Sequence, residues 1–149
     1  MPIEKSSILF VDDNKDDFIV FDEALSKLEI PYSILYSPYY VRHIFKLLDE
    51  HKINIIFTDV NMPGKSGIKL LEDLKANEKY RDIPVIMYSV SVREEDIAKS
   101  YELGAHFYVV KAYSHRNLVE ALRKVFKLDW SLAQPATPFE DFVINHAFV

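Results

Sequence analysis

Short apolar runs alternate with segments of helical spacing along most of the chain. "SILFV" (Ser7 to Val11) reads as a buried strand that stops at Asp12 and Asp13. Phe18, Phe21, Leu25 and Leu28 then recur at helical spacing, with Asn14 placed to cap that helix. "YSILYS" (Tyr32 to Ser37) predicts a second strand, and Val41, Ile44, Leu47 and Leu48 a second helix. "INIIFTD" predicts the third strand. A third helix over Ile68, Leu70, Leu71 and Leu74 is opened by the turn from Gly64 to Gly67. "PVIMYSV" (Pro84 to Val90) is a fourth strand, followed by a helix carrying Ile97, Tyr101 and Leu103 that ends at Gly104. "HFYVV" (His106 to Val110) is the fifth, followed by a helix over Leu118, Ala121, Leu122 and Val125 with Ser114 as its cap.

Five βα units in series imply an α/β fold. The strands are continuously apolar rather than alternating, so both faces of the sheet are covered. Right-handed crossovers then give a five-stranded, doubly wound parallel sheet in a three-layer sandwich. The favoured strand order is the flavodoxin-like 2-1-3-4-5. Residues 1–128 form one domain on this reading. Residues 129–149 contain two prolines and no helical period, and read as a tail. Its aromatics Trp130, Phe139, Phe142 and Phe148 predict that it packs back on the domain or on a neighbouring chain.

Composition narrows the function. The 149 residues suit one domain, and an apolar fraction of 49% supplies a core. A net charge of −5, with both signs dispersed, argues against direct nucleic-acid binding. The absence of cysteine removes disulfides, thiolate chemistry and zinc fingers. No apolar run has the length of a membrane span and the first residues lack a signal peptide's apolar stretch, so a cytoplasmic protein is expected. With only three glycines, neither a dinucleotide fingerprint nor a nucleotide P-loop can be assembled.

The chemistry belongs beyond the carboxyl ends of the strands, where the chain order reverses. Strand one ends in Asp12 and Asp13, strand three in Asp59, strand four in Ser89 and strand five in Lys111. Taken singly, each has an ordinary alternative: a helix cap, a turn serine, a solvated lysine. Together they bring three acids, a hydroxyl and an ammonium to one edge. Crowded carboxylates raise one another's pKa unless a cation joins them, and an all-oxygen set suits Mg²⁺ or Mn²⁺. A metal, a lysine and a hydroxyl around one acid are built to receive three phosphoryl oxygens. The acid is then the nucleophile of an aspartyl phosphate.

The pieces "ILFVDDN", "IIFTDVNMPGKSGIKLLEDLK", "IPVIMYSV" and "LGAHFYVVKA", in this order, resemble the receiver domain of two-component response regulators over about residues 6–128. The resemblance implies that Asp59 accepts a phosphoryl group from a histidine kinase or phosphotransfer protein. It implies that Asp13, Asp59 and the backbone carbonyl of Asn61 bind Mg²⁺ directly, with Asp12 acting through water. Lys111 would pair with Asp59 and then contact the phosphoryl group. Ser89 would move to hydrogen-bond it, and Tyr108 would turn inward as Ser89 moves. Output would pass to a protein partner or a homodimer through the fourth helix, fifth strand and fifth helix.

Two positions depart from that pattern. The family usually follows the lysine with proline in a cis peptide. Here Ala112 follows Lys111, and a cis bond before alanine costs about 3–4 kcal/mol, so a trans peptide is expected. A small residue usually follows the serine; here Val90 does, which is expected to slow reaction with small phosphodonors. The five histidines, His43, His51, His106, His115 and His146, show no ligand spacing and read as surface or packing residues. Met62 and Pro63 shape the loop after Asp59.

Two other functions compete. A phosphatase of the haloacid dehalogenase type also forms an aspartyl phosphate, but needs an acid two residues on. Position 61 is Asn, which cannot deliver a proton. A flavin site of the same topology would place Asp12 and Asp13 against a phosphate. A receiver-like interaction module that works without phosphorylation is also compatible with the sequence.

Overall fold

The computed structural model describes residues 5–38, 43–61 and 66–146. Val41, Met62, Pro63, Gly64 and Phe148, named above, lie outside them. The elements are β1 (Ser6–Val11), α1 (Lys15–Ser26), β2 (Tyr32–Ser37), α2 (His43–Glu50), β3 (Ile55–Thr58), α3 (Gly67–Lys75), β4 (Val85–Ser89), α4 (Glu94–Glu102), β5 (Phe107–Val110), α5 (His115–Val125), α6 (Phe139–Phe142) and β6 (Val143–Asn145). Every predicted strand and helix up to α5 is present. The sheet is parallel throughout, in the order β2-β1-β3-β4-β5-β6. The five-stranded core has the expected order, and the tail extends it by a sixth strand.

Local chemistry sets the ends of the helices. Asn14 Oδ1 accepts from the backbone N–H groups of Asp16 and Asp17. Ser66 and Ser114 cap α3 and α5 by accepting from Lys69 and Asn117. Gly104 at φ 97° lets α4 end in a left-handed turn, with Gly104 N–H donating to Tyr101 and Ala105 N–H to Ser100.

Strand alternation divides the core into two layers. Ile8, Phe10, Phe57, Tyr88 and Val109 lie under α1 and α5. Leu9, Val11, Ile56, Met87 and Tyr108 lie on the other face, with α3 and α4 residues around them. The tail contributes to both. Ile144 joins the first layer and Phe142, fully buried, the second. Burial of one such aromatic contributes about 2–3 kcal/mol toward the cost of ordering the segment. Trp130 is buried as well, and its indole N–H donates to the Val125 carbonyl at 2.9 Å, folding the chain back directly after α5. The expected packing of the tail aromatics therefore holds for Trp130 and Phe142, while Phe139 stays half exposed.

Candidate phosphoacceptor site

Sheet register gathers the strand-end residues before any side chain is considered. Val11 pairs with Thr58, so Asp12 and Asp59 stand level on neighbouring strands. Thr58 pairs with Met87 and Tyr88 with Val109, which puts Ser89 one residue beyond that level and Lys111 two beyond. Asp12, Asp59, Tyr88 and Lys111 share the strand parity of the layer under α1 and α5. Ser89 shares the opposite parity with Met87 and Tyr108.

Lys111 is the hub. Its Nζ donates to Asp12 Oδ2 at 2.8 Å, Asp17 Oδ2 at 2.8 Å and Asp59 Oδ2 at 2.9 Å. It reaches back over the Tyr88 ring, 5.3 Å from the centroid. Asp17 was not a sequence candidate. It lies in the first turn of α1, three residues after the N-cap Asn14, and the helix start brings it back over the β1 end beside Lys111. Asp12 is fully buried, Asp59 and Lys111 nearly so, and Asp13 is exposed.

The carboxylates are further held by backbone donors. Asp12 Oδ1 accepts from Asn14 N–H at 2.9 Å, and Asp59 Oδ1 from Asn61 N–H at 3.2 Å. Burial pushes the Asp12 carboxyl up to about 6, against the pull of Lys111 and Asn14. Burial opposes the charge on Lys111, but the carboxylates outweigh it, Asp59 foremost, and its pKa is raised. Three acids thus crowd one ammonium. Oxygen atoms of Asp12, Asp13 and Asp59 all lie within 4.8 Å of one another, a donor set that fits a hard divalent ion.

Helix α3 approaches this site closely. A Cβ at Gly67 would stand 1.7 Å from the Asp59 carbonyl oxygen, so only glycine admits the contact. Gly67 N–H donates to the Val60 carbonyl at 2.8 Å, and Thr58 Oγ1 to the Asp59 carbonyl at 3.2 Å.

On the other face, Ser89 is fully buried and its Oγ accepts from Ser91 N–H at 3.2 Å. Tyr108 is also fully buried. Its hydroxyl donates to the Ser91 carbonyl at 2.9 Å. The ring is therefore inward here, with Ser89 still bound to Ser91, where the resemblance implied that it turns inward as Ser89 moves. No described peptide bond is cis, and Lys111–Ala112 is trans as expected. Val90 is 61% exposed, at the rim rather than within the site. His106 packs edge-on against Trp130, a packing role as expected. Among the described residues the three acids form the one cluster suited to a metal, with no histidine in it.

The sequence has a match across most of the chain: residues 8–123 fit the model of the response regulator receiver domain. The chain belongs to that family. Chemotaxis protein CheY-3 of Vibrio cholerae is 33% identical over 81 residues, which cover 54% of this chain and 62% of the relative. The chain thus spans less than two thirds of the length of such curated chemotaxis relatives. Response regulator Rcp1 of Synechocystis is 29% identical, with 79% of this chain and 82% of the relative covered. The crystal structure of the phosphorylated cyanobacterial phytochrome response regulator RcpA superposes with a TM-score of 0.75 at 26% identity, covering 88% of this receiver and 98% of that chain. No described helix is long and apolar enough to cross a membrane.

Proposed function

We propose that this receiver accepts a phosphoryl group on Asp59 and signals by the resulting change of surface. The observation that carries the reading is the Lys111 ammonium, 2.9 Å from Asp59, beside three metal-competent acids. An Asp59 carboxylate oxygen forms a bond to phosphorus as the phosphorus–nitrogen bond of a phosphohistidine breaks. The electron pair leaves on the imidazole nitrogen, which takes up a proton. Lys111 balances the charge on the transferred oxygens, and Ser89, one residue beyond the Asp59 level on the next strand, would turn its hydroxyl toward them. Asp12, Asp13, Asp59 and the Asn61 carbonyl would hold Mg²⁺, which supplies charge neutralisation at the phosphoryl oxygens when bound.

The donor on this reading is a histidine kinase or phosphotransfer protein. The exposed Val90, Val92 and Tyr113, which follow β4 and β5 at the same edge, supply an apolar rim for it to dock on. RcpA, a relative in fold and sequence, is described as phosphorylated, which supports the assignment. Residues 1–128 act as the receiver unit, in the cytoplasm, and 129–149 as its appendage. Output passes to a protein partner or a second copy through the α4–β5–α5 face.

Incubation with Mg²⁺ and beryllofluoride, followed by NMR, tests the reading. Shifts around Asp59 in the wild type that vanish in Asp59→Asn are expected. No response in either protein would favour a module that works without phosphorylation.

A further inference from the structure

The tail occupies the face through which output would leave. β6 adds to the free edge of β5, with Tyr108 opposite Val143, Val109 opposite Ile144 and Val110 opposite Asn145. Just before it, Phe142 packs edge-on against Tyr101 of α4 at 5.0 Å and lies 6.4 Å from the Tyr108 ring. Phe139 stacks on Phe142 and meets Tyr101 from the outside, also at 5.0 Å. One short segment therefore holds α4, β5 and the Tyr108 ring together.

Those same groups connect to the Asp59 site. The Tyr108 hydroxyl is bound to the Ser91 carbonyl, and the Ser91 N–H is bound to Ser89 Oγ. Burial raises the Tyr108 pKa, and Ser91 and Ser89 both act against that rise. Lys111 N–H donates to the Ser89 carbonyl at 2.8 Å, directly after the last residue that β6 pairs. A Ser89 hydroxyl drawn toward Asp59 would leave Ser91 N–H without its acceptor and disturb the carbonyl that anchors Tyr108.

We propose that residues 139–145 are a built-in latch: Phe142 keeps Tyr108 buried, β6 clamps β5, and latch docking is linked to occupancy of the Asp59 site. This rests on the reading of Asp59 as phosphoacceptor. Linkage is reciprocal: whatever occupancy does to the latch, loss of the latch does in reverse to occupancy. A partner that adds a strand to β5 competes with this chain's own β6, since one edge accepts one strand.

The test compares the 149-residue wild type with Phe142→Ala and with the milder Phe139→Ala, in which a half-exposed ring is lost. Amide exchange at Val143–Asn145, the Tyr108 ring signals and beryllofluoride affinity with Mg²⁺ are measured in each. Faster exchange, shifted Tyr108 signals and an affinity change of about fivefold or more are expected, the lower end of ordinary coupling between sites. Saturation of the wild type should alter exchange at Val143–Asn145 by a similar factor. Faster strand exchange with unchanged Tyr108 signals and unchanged affinity would overturn the latch and leave β6 as static packing. If beryllofluoride fails to bind the wild type, the phosphoacceptor reading falls. The latch is then judged on the ligand-free proteins, and unmoved Tyr108 signals would refute it.

Discussion

Lys111 Nζ stands 2.9 Å from Asp59 Oδ2, and the same ammonium spans Asp12 and Asp17. The bond that positions Asp59 is thus also one of those that keep a crowd of acids together. Lys111→Met is expected to destabilise the metal-free protein by about 3 kcal/mol, as removal of one member of a buried ion pair does. Millimolar Mg²⁺ should restore part of that loss by replacing the missing positive charge. Urea unfolding with and without Mg²⁺ measures both effects; a variant as stable as the wild type without metal would contradict the hub role.

Asp13 and Asp17 separate metal binding from lysine positioning. Asp17 touches Lys111 but its side chain is about a third exposed, so Asp17→Asn should cost about 1 kcal/mol or less. Mg²⁺ affinity should barely change. Asp13→Asn should lower that affinity at least about tenfold, a loss that mutation of even an outer partner of a metal site brings. Titration calorimetry with Mg²⁺ distinguishes the two, and equal effects would reject this division.

Gly67 permits α3 to lie against the Asp59 carbonyl. Gly67→Ala places a methyl group where backbone already stands, and backbone cannot swing aside as a side-chain end can. A loss of about 3 kcal/mol, the upper end for overpacking, is expected, with a displaced Asp59. Thermal unfolding and beryllofluoride affinity should fall together; an unaltered melting temperature would show that the helix shifts freely.

His106 carries a pH dependence. Burial lowers its pKa, the Lys75 charge acts in the same direction, and the Gln134 carbonyl opposes them. The neutral ring is the one the fold prefers. The unfolded chain binds the proton more readily, so this contribution is present above about pH 6.5 and is lost as pH falls through it. The wild type should lose more stability between pH 7.5 and pH 5.5 than His106→Phe does. Urea midpoints of the two proteins at both values give the comparison, and parallel losses would remove His106 as the cause.

Val90 follows the buried Ser89 and stands out at the rim. Val90→Ala should speed labelling of Asp59 by acetyl phosphate, since less side chain crowds the approach. An unchanged initial rate would assign the rim no part in access.

Legibility in the sequence followed the strength of each local pattern. β1, β3, β4 and β5 announced themselves because both faces are buried, leaving unbroken apolar runs. Ser89 and Lys111 were legible only after the topology placed them beside Asp12 and Asp59. Asp17 was hidden because an acid in the first turn of a helix is commonplace there, and its bond to Lys111 spans 94 positions. β6 was hidden for another reason. Val143–Asn145 is too short to show alternation, and its strand character comes from the open edge of β5 rather than from its own residues.

The sixth strand also decides what this sheet offers to other chains as a template. Without it, the outer hydrogen-bonding edge would be Phe107, Tyr108, Val109 and Val110, a buried apolar ladder laid open. Such an edge invites pairing with any exposed strand, including its own copies. With β6 in place the ladder ends in three residues, and two of them, Val143 and Asn145, are exposed. A short edge with a polar end is a poorer template, so β6 takes the β5 ladder out of reach of other strands.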